Sequence, residues 1–526
     1  MDFSVCNWAS SLCAVDKMVS AVAASFLFSL VMVNIIPTTP IVEIRPLRTT
    51  DGAARLIQGK SRKRVSPVPP TQKPNPISEA FGYCNTPSHN EHAWEGHSPA
   101  DYRLLSVQVM IRHGDRYPLY SIPKTKRPAI NCTLSISRTP SHPLLGSFIN
   151  HMGQGGRGHW ESPLASVPRL PNHNTCEMGE LTQTGVVQHL RNGKLLRQAY
   201  QPHDLVPSDW SPRQVWVEST GKSRTLQSGL AFLYGFLPEF NWKKLTVRHQ
   251  WSTLFCGSSC DCPARNRYLE EEQRRQYRLR VADAELERTY TDMARTLGIP
   301  TRNLRAANPI DSLLCHLCHG LSLPCLSRED GSTGECLKMA QFGVIRRQQL
   351  DDEIDRRREG LYRKYAILAM YPYLNRTATK MERVAKASTG SRPPRAGGEE
   401  VFTLSSAHDV TMAPLLSALG LEEARFPPFA ARLVFELWKS PSLYQGQQEQ
   451  KSGKGERSKG RNGGCFIRVL YNGEDVTYHT TFCSSLDLRA SQPLCPLKKF
   501  LSFVRRDMFN VVNATSYQEA CYRHTD

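Results

Sequence analysis

Residues 104–111 alternate Leu105, Val107, Val109 and Ile111 with more polar neighbours, and the run ends directly in Arg112-His113-Gly114-Asp115-Arg116-Tyr117-Pro118. Period-two alternation reads as a strand. A strand that hands its carboxyl end to a histidine between two arginines limits the choice of fold. In α/β proteins ligands bind in the crevice beyond the carboxyl ends of the strands. The same succession repeats downstream. Residues 181–200 carry Val186, Val187, Leu190, Leu195 and Leu196 at helical spacing. Residues 214–217 read as a second strand leading to Thr220, and a helix begins near Lys222 and runs through Leu226, Leu230, Phe232 and Leu233. Strand–helix–strand–helix order predicts an α/β fold, with a mostly parallel sheet flanked by helices.

The middle of the chain differs. Residues 264–297 and 340–384 are rich in Glu, Arg, Gln, Leu and Tyr with helical periodicity. Residues 245–390 are therefore expected to form a mainly helical insertion, a cap. Strand signals return at 401–405, 431–438, 465–471 and 476–482. Residues 384–398 and 440–464 are rich in Gly, Pro, Lys, Gln and Ser and read as flexible loops. No internal repeat is visible.

Two arginines around one imidazole provide planar, permanently charged forks that suit a tetrahedral oxyanion such as phosphate. Gly114 lets the backbone approach the anion closely. A second block, Ser405-Ser406-Ala407-His408-Asp409, also follows a strand and precedes an apolar run. Its His and Asp offer one more anion ligand and one proton donor, although an Asp there also serves as a helix cap. A third block ends in Ser223-Arg224, just past the second strand, and can converge on the same crevice.

Together these blocks resemble the histidine phosphatase superfamily, in its acid-phosphatase branch. The family pattern R-H-G-x-R-x-P is complete at Arg112 to Pro118, and the distal H-D pair is His408-Asp409. Gly179-Glu180-Leu181-Thr182-Gln183-Thr184-Gly185 is similar to the family's G-x-L-T-x-x-G helix start. The likeness covers most of residues 84–521, the expected catalytic domain. It implies the histidine phosphatase fold and the following roles. His113 is the nucleophile that forms a phosphohistidine. Arg112, Arg116, Arg224 and His408 hold the phosphate. Asp409 protonates the leaving alcohol. No metal or other cofactor is expected. One departure stands out: many members carry Arg before the Ser-Thr of the second strand end, where this chain has Glu218.

Within the family the likeness runs further, over residues 111–128, 176–193, 220–237, 304–312 and 424–438, to a Golgi enzyme of proteoglycan synthesis. That implies a luminal phosphomonoesterase acting on the 2-phosphate of xylose in the glycosaminoglycan–protein linkage region. The phosphorylated linkage glycan is then the substrate, and a glycosyltransferase of the same pathway a candidate partner. The alternatives are another phosphomonoester, such as a lysophospholipid or inositol phosphate, or a non-catalytic glycosaminoglycan binder. The intact His113, arginines and Asp409 argue against the last.

Residues 18–36 are uncharged and can just span a bilayer as a helix. A long tail precedes them and no small-x-small cleavage site follows. A signal anchor is expected, with residues 1–17 cytosolic, 37–83 a Pro-rich basic stem and the bulk in the Golgi lumen, a single-pass type II arrangement. Charge bias around the run favours the opposite orientation. The 14 cysteines after the run outweigh it, since they fit an oxidising compartment. The sequons at Asn131, Asn375 and Asn513, candidate glycosylation sites, agree. Cys315-His316-Leu317-Cys318-His319, with Cys256, Cys260 and Cys262 nearby in sequence, mimics a haem or zinc motif. In a luminal chain these cysteines are expected in disulfides instead. Resemblance also implies that Cys483 pairs with Cys495. The net charge of +19 points to a polyanionic partner. More than half of the excess lies in 37–83, 384–398 and 440–464, outside the motifs. Nucleic acid is not expected as a partner.

Overall fold

The computed structural model describes residues 75–86, 93–99, 101–155, 159–358, 360–389, 400–441, 464–485, 489 and 494–522. The expected tail 1–17, anchor 18–36 and residues 37–74 of the stem lie outside the described residues, as do 390–398 and 442–463 of the two expected loops. Among the described residues no helix is long and apolar enough to cross a membrane.

In chain order the first elements are α1 (Pro76–Cys84), β1 (Arg103–Arg112), α2 (Leu145–Gln154), β2 (His159–Trp160), α3 (Gln183–Tyr200), β3 (Val215–Thr220), α4 (Ser223–Phe236) and β4 (Thr246–Gln250). Then come α5 (Pro263–Ala282), α6 (Ala284–Thr296), α7 (Thr301–Ala306), α8 (Pro309–Cys318), β5 (Cys325–Ser327), β6 (Thr333–Cys336), α9 (Met339–Arg358) and α10 (Gly360–Thr389). The last are β7 (Phe402–Ala407), α11 (Asp409–Ala418), β8 (Arg432–Lys439), β9 (Cys465–Tyr471), β10 (Glu474–Asp475), β11 (Cys495–Pro496), α12 (Leu497–Arg505) and α13 (Tyr517–Tyr522).

One sheet organises these elements, in the order β10-β9-β8-β1-β7-β3-β4-β2, with β11 paired to β9. β1, β7, β3, β4 and β2 pair in parallel, and β8 and β9 extend the sheet antiparallel beyond β1. Parallel strands need cover on both faces. Accordingly every residue of β1 after Arg103, and all of β7, is buried. Val107, Val109 and Ile111 pack with α3 and α4 on one face. Met110, Ala407, Leu433 and Phe435 pack with α10, α11 and α12 on the other. This is the expected α/β fold. Helices α3 and α4 lie unusually close because Gly193 and Gly235 carry no side chain. A Cβ on Gly193 would strike the Phe232 carbonyl, and one on Gly235 the Leu190 carbonyl. A third apolar cluster joins α6, α8 and α9 to Tyr83 of α1 and to Phe429.

Residues 76–83, expected to end the stem, form most of α1 and pack into the fold, and 384–389, expected to begin a loop, are the last turns of α10. Three further sequence expectations need correction. Residues 476–482 are not a strand: Thr477–His479 form a 3₁₀ turn. Asp475 accepts the Thr477 amide at 3.0 Å, and the Thr477 hydroxyl lies 2.9 Å from the Val469 amide, taking the place of a ladder partner. Residues 246–250, inside the stretch expected to be helical, form β4 of the central sheet, and 325–336 hold the small β5–β6 hairpin. The third correction concerns the cysteines. Disulfides join Cys84–Cys318, Cys132–Cys176, Cys256–Cys260, Cys262–Cys521, Cys325–Cys336 and Cys483–Cys495, but Cys315 and Cys465 are free thiols. Cys315 is buried in an apolar cluster with Tyr117 and Ile130, beside the Cys132–Cys176 bridge.

Glu218 has a structural explanation. Buried on β3, it accepts from Arg376 of α10 at 2.7 Å, Ser405 at 2.6 Å and Gln250 at 2.8 Å. It ties the sheet to α10. Arg376→Ala leaves that carboxylate buried without its cation. The expected loss in urea denaturation is about 2–3 kcal/mol, discounted from the fully buried case because Arg376 is partly exposed.

Candidate active site

The site lies where the parallel strands end. Arg112 of β1 is level with Ala407 of β7, and Ser406 of β7 with Ser219 of β3. The next residues outward are His113, His408 and Thr220. The turn after β1 must pass against the start of α3, and two glycines permit this. A Cβ on Gly114 would sit 2.5 Å from the Gly185 backbone. Thr182 caps α3 by accepting from Gly185, and its hydroxyl also donates to the Asp115 carboxylate.

Arg112 is fully buried. Its guanidinium is 4.7 Å from the Tyr83 ring centroid and 4.5 Å from that of Phe429. It donates to the Pro427 carbonyl at 2.7 Å and the Tyr83 hydroxyl at 2.6 Å, and meets Asp409 at 2.8 Å. Arg116 forms a two-pronged pair with Asp311 of α8, at 2.8 and 3.3 Å. Burial opposes the charge on Arg116, but Asp311 overcomes it and holds the pKa above the usual arginine value. Arg224, in the first turn of α4, differs from both. Among the described residues it has no hydrogen-bond or ion-pair partner, and its Nε is buried. Burial, then the neighbouring Arg116, lowers its pKa to about 9, so it stays charged at neutral pH.

His113 Nδ1 lies 2.9 Å from the Gly114 carbonyl oxygen. A carbonyl only accepts, so Nδ1 carries the proton and Nε2 keeps its lone pair. His408 faces it with ring centroids 5.6 Å apart and nearly perpendicular. The His408 Nε2 is 2.9 Å from the Thr220 hydroxyl, which lies 2.8 Å from that of Thr225. Burial, then the charges of Arg224 and Arg112, push both imidazoles well below the ordinary histidine pKa. Both are neutral near pH 7. Asp409 opens α11, with one oxygen on the Val410 amide at 2.8 Å and the other on Arg112.

All six sequence-expected site residues, Arg112, His113, Arg116, Arg224, His408 and Asp409, thus meet in one place. The structure adds Tyr83, Thr220, Asp311 and Phe429. Asp311 had one sequence signal, an acid in the first turn of a helix that begins with proline. Its partner stands 195 residues away. His319 of the apparent metal motif bonds Asp115 at 2.8 Å, and that carboxylate raises its pKa against the opposing effect of burial. Of the sequons, Asn131 and Asn513 are exposed, while Asn375 is half-buried within α10.

The arrangement can bind a compact anion. Three guanidiniums surround two neutral imidazoles, and the Nε2 of one imidazole is bonded to nothing among the described residues.

The chain is similar to known proteins. Residues 103–472 match the model of the histidine phosphatase superfamily (branch 2). The Danio rerio protein named 2-phosphoxylose phosphatase 1 is 62% identical over 512 residues, covering 96% of this chain and 97% of its own. The Homo sapiens protein of that name is 53% identical over 472 residues, covering 89% and 92%. The crystal structure of Bifidobacterium longum multiple inositol polyphosphate phosphatase with inositol hexasulfate covers 82% of this chain and 98% of its own, at 14% identity and a TM-score of 0.49.

The buried histidines set an acid limit on stability. His189 of α3 donates through Nε2 to the Arg112 carbonyl at 3.0 Å, and burial lowers its pKa to about 3. The unfolded chain takes up this proton first, near pH 6.5, so folding stability falls as pH drops from about 6.5 toward about 3. Gln at this position keeps a donor and cannot titrate. Between pH 7 and pH 5, wild type should lose roughly 2 kcal/mol more unfolding free energy than His189→Gln, measured by urea denaturation.

Proposed function

The chain belongs to the histidine phosphatase superfamily, branch 2, and on that footing we propose that it removes the 2-phosphate from xylose in the glycosaminoglycan–protein linkage region, through a phosphohistidine on His113. That it is a phosphatase follows from the family and its relatives. The substrate is our reading, supported by the name those relatives carry. The observation that carries the chemistry is Arg224, without a partner among the described residues, beside two neutral imidazoles. A half-buried cation whose Nε is buried without a partner is costly, and a phosphate dianion would satisfy it.

In the proposed first step the His113 Nε2 lone pair attacks phosphorus. The N–P bond forms as the P–O bond to the sugar breaks. Nδ1–H, held by the Gly114 carbonyl, keeps the ring oriented and stabilises its positive charge. Arg112, Arg116 and Arg224 hold the nonbridging oxygens, with Asp311 keeping the Arg116 fork in place. The phosphate takes over Arg112 from Asp409, freeing that carboxylate to take up a proton from solvent, which it then gives to the departing sugar oxygen. Water then attacks phosphorus, giving its proton to Asp409, and the N–P bond breaks. His408, steadied by Thr220, contacts the phosphate as a neutral donor. These steps need no metal ion.

We take the chain to be a Golgi-luminal type II membrane protein. The six disulfides among the described residues support an oxidising compartment.

The deciding assay incubates the purified full-length chain with 2-phosphoxylosyl linkage oligosaccharide and measures released phosphate. No release, from a protein that cleaves simple phosphomonoesters, would remove the substrate claim. His113→Ala should lose about four orders of magnitude or more in kcat, as expected when a nucleophile is removed. Asp409→Asn should cost about 10²–10⁴-fold on sugar phosphates and far less on aryl phosphates, whose leaving groups need no proton. Equal losses on both would contradict the proton-donor role.

A further inference from the structure

The carboxyl ends of β1, β7, β3 and β4 stand in a row. The first three carry His113, His408 and Thr220. The fourth leads into Trp251. Thr220 and Gln250 are register partners, so Trp251 stands level with Gly221, at the start of the loop that carries Arg224. Trp251 is 85% exposed, the most exposed large hydrophobic among the described residues. Exposure of one apolar side chain is ordinary. Its mounting is what sets it apart.

The His249 ring lies 4.3 Å from the Trp251 ring, edge to face. His249 Nε2 would be 2.7 Å from a Cβ on Gly221, so the ring touches both the indole and the loop that carries Arg224. Beyond Trp251 the chain is pinned again. Thr411 of α11 donates to the Thr253 carbonyl, and Arg376 reaches the Phe255 carbonyl at 3.3 Å. The Cys256–Cys260 disulfide follows. The indole is therefore an uncovered surface on a fixed frame, tied to the α4 loop and to the helix that begins at Asp409.

We propose that Trp251 is a specificity-determining stacking platform for a sugar ring of the substrate, next to the phosphorylated one. Strands in a sheet are about 4.8 Å apart, so β4 lies roughly 10 Å from β7 and His408. With the phosphate between His113, His408 and Arg224, the glycan chain would run along the row of strand ends toward β4. An indole face complements the C–H face of a pyranose, and aromatic side chains with a few polar groups commonly line such sites. Exposed Lys222, between Thr220 and Arg224, is available to the sugar hydroxyls. This inference rests on the glycan substrate proposed above.

The test compares full-length wild type, Trp251→Ala and Trp251→Phe on phosphorylated galactosyl-galactosyl-xylose and on glycerol 2-phosphate. For Trp251→Ala, KM for the trisaccharide should rise about tenfold more than KM for glycerol phosphate, the scale of one aromatic stacking contact. Trp251→Phe should recover most of that difference. Equal KM changes on the two substrates, or none on the trisaccharide, would overturn the platform. Saturation-transfer NMR with the unphosphorylated trisaccharide separates this from the substrate claim. If wild type binds the galactose rings and Trp251→Ala does not, the platform stands even where the phosphorylated glycan is not cleaved. Equal signals from both proteins would overturn it.

Discussion

Arg112 is a fully buried cation, and an unpaired buried guanidinium would cost several kcal/mol. The surrounding fold answers that demand from several directions. α11 presents Asp409, α1 presents the Tyr83 ring and hydroxyl, and the segment before β8 presents the Pro427 carbonyl and the Phe429 ring. The Phe429 amide also bonds the Tyr83 carbonyl at 3.1 Å, joining two of these supports. The Cys84–Cys318 disulfide fastens α1 to α8, and α8 supplies the Asp311 that holds Arg116. Neutralising the two motif arginines therefore fixes where α1, α8 and α11 sit on the sheet. The position of the helical region and the preorganisation of the site are one constraint.

That constraint also explains why the three arginines are not equivalent. Arg112 and Arg116 each have an acid at contact distance, while Arg224 has none among the described residues. With two acids against three guanidiniums, the pocket keeps a surplus of positive charge in a region of low dielectric, where an anion is held far more strongly than in water. The same surplus keeps His113 and His408 neutral, after burial itself. A neutral imidazole has a lone pair to give; a protonated one does not. The cations that bind the phosphate thus also maintain the nucleophile.

Local patterns in the sequence carried a great deal of this. The alternation over 104–111 and the histidine after it located β1 and the crevice, and the His408-Asp409 pair marked the end of β7. What stayed hidden were partnerships across long sequence distances. Nothing near Arg116 points to Asp311, nor anything near Glu218 to Arg376, 158 residues on. The apolar alternation around Val476 and Tyr478 looked like a strand, but the Asp475 carboxylate accepts from both the amide and the hydroxyl of Thr477 and turns the chain. Cysteine spacing could not separate Cys318, which reaches Cys84, from Cys315 one helical turn earlier, which faces an apolar cluster.

The net charge of +19 by itself fits a protein that merely holds a polyanion. Such binding calls for many exposed cations, each worth little and screened by salt. The site here is built the other way. Arg112 and Arg116 are buried and ringed by groups that fix their geometry. Burying charge at this cost gives little to a surface that grips a long chain. It gives much to a site where negative charge grows on a few oxygens as a bond breaks, because fixed dipoles and cations need no reorganisation at that moment. The buried fraction of the charge, not its total, is what distinguishes a catalyst from a binder in this chain.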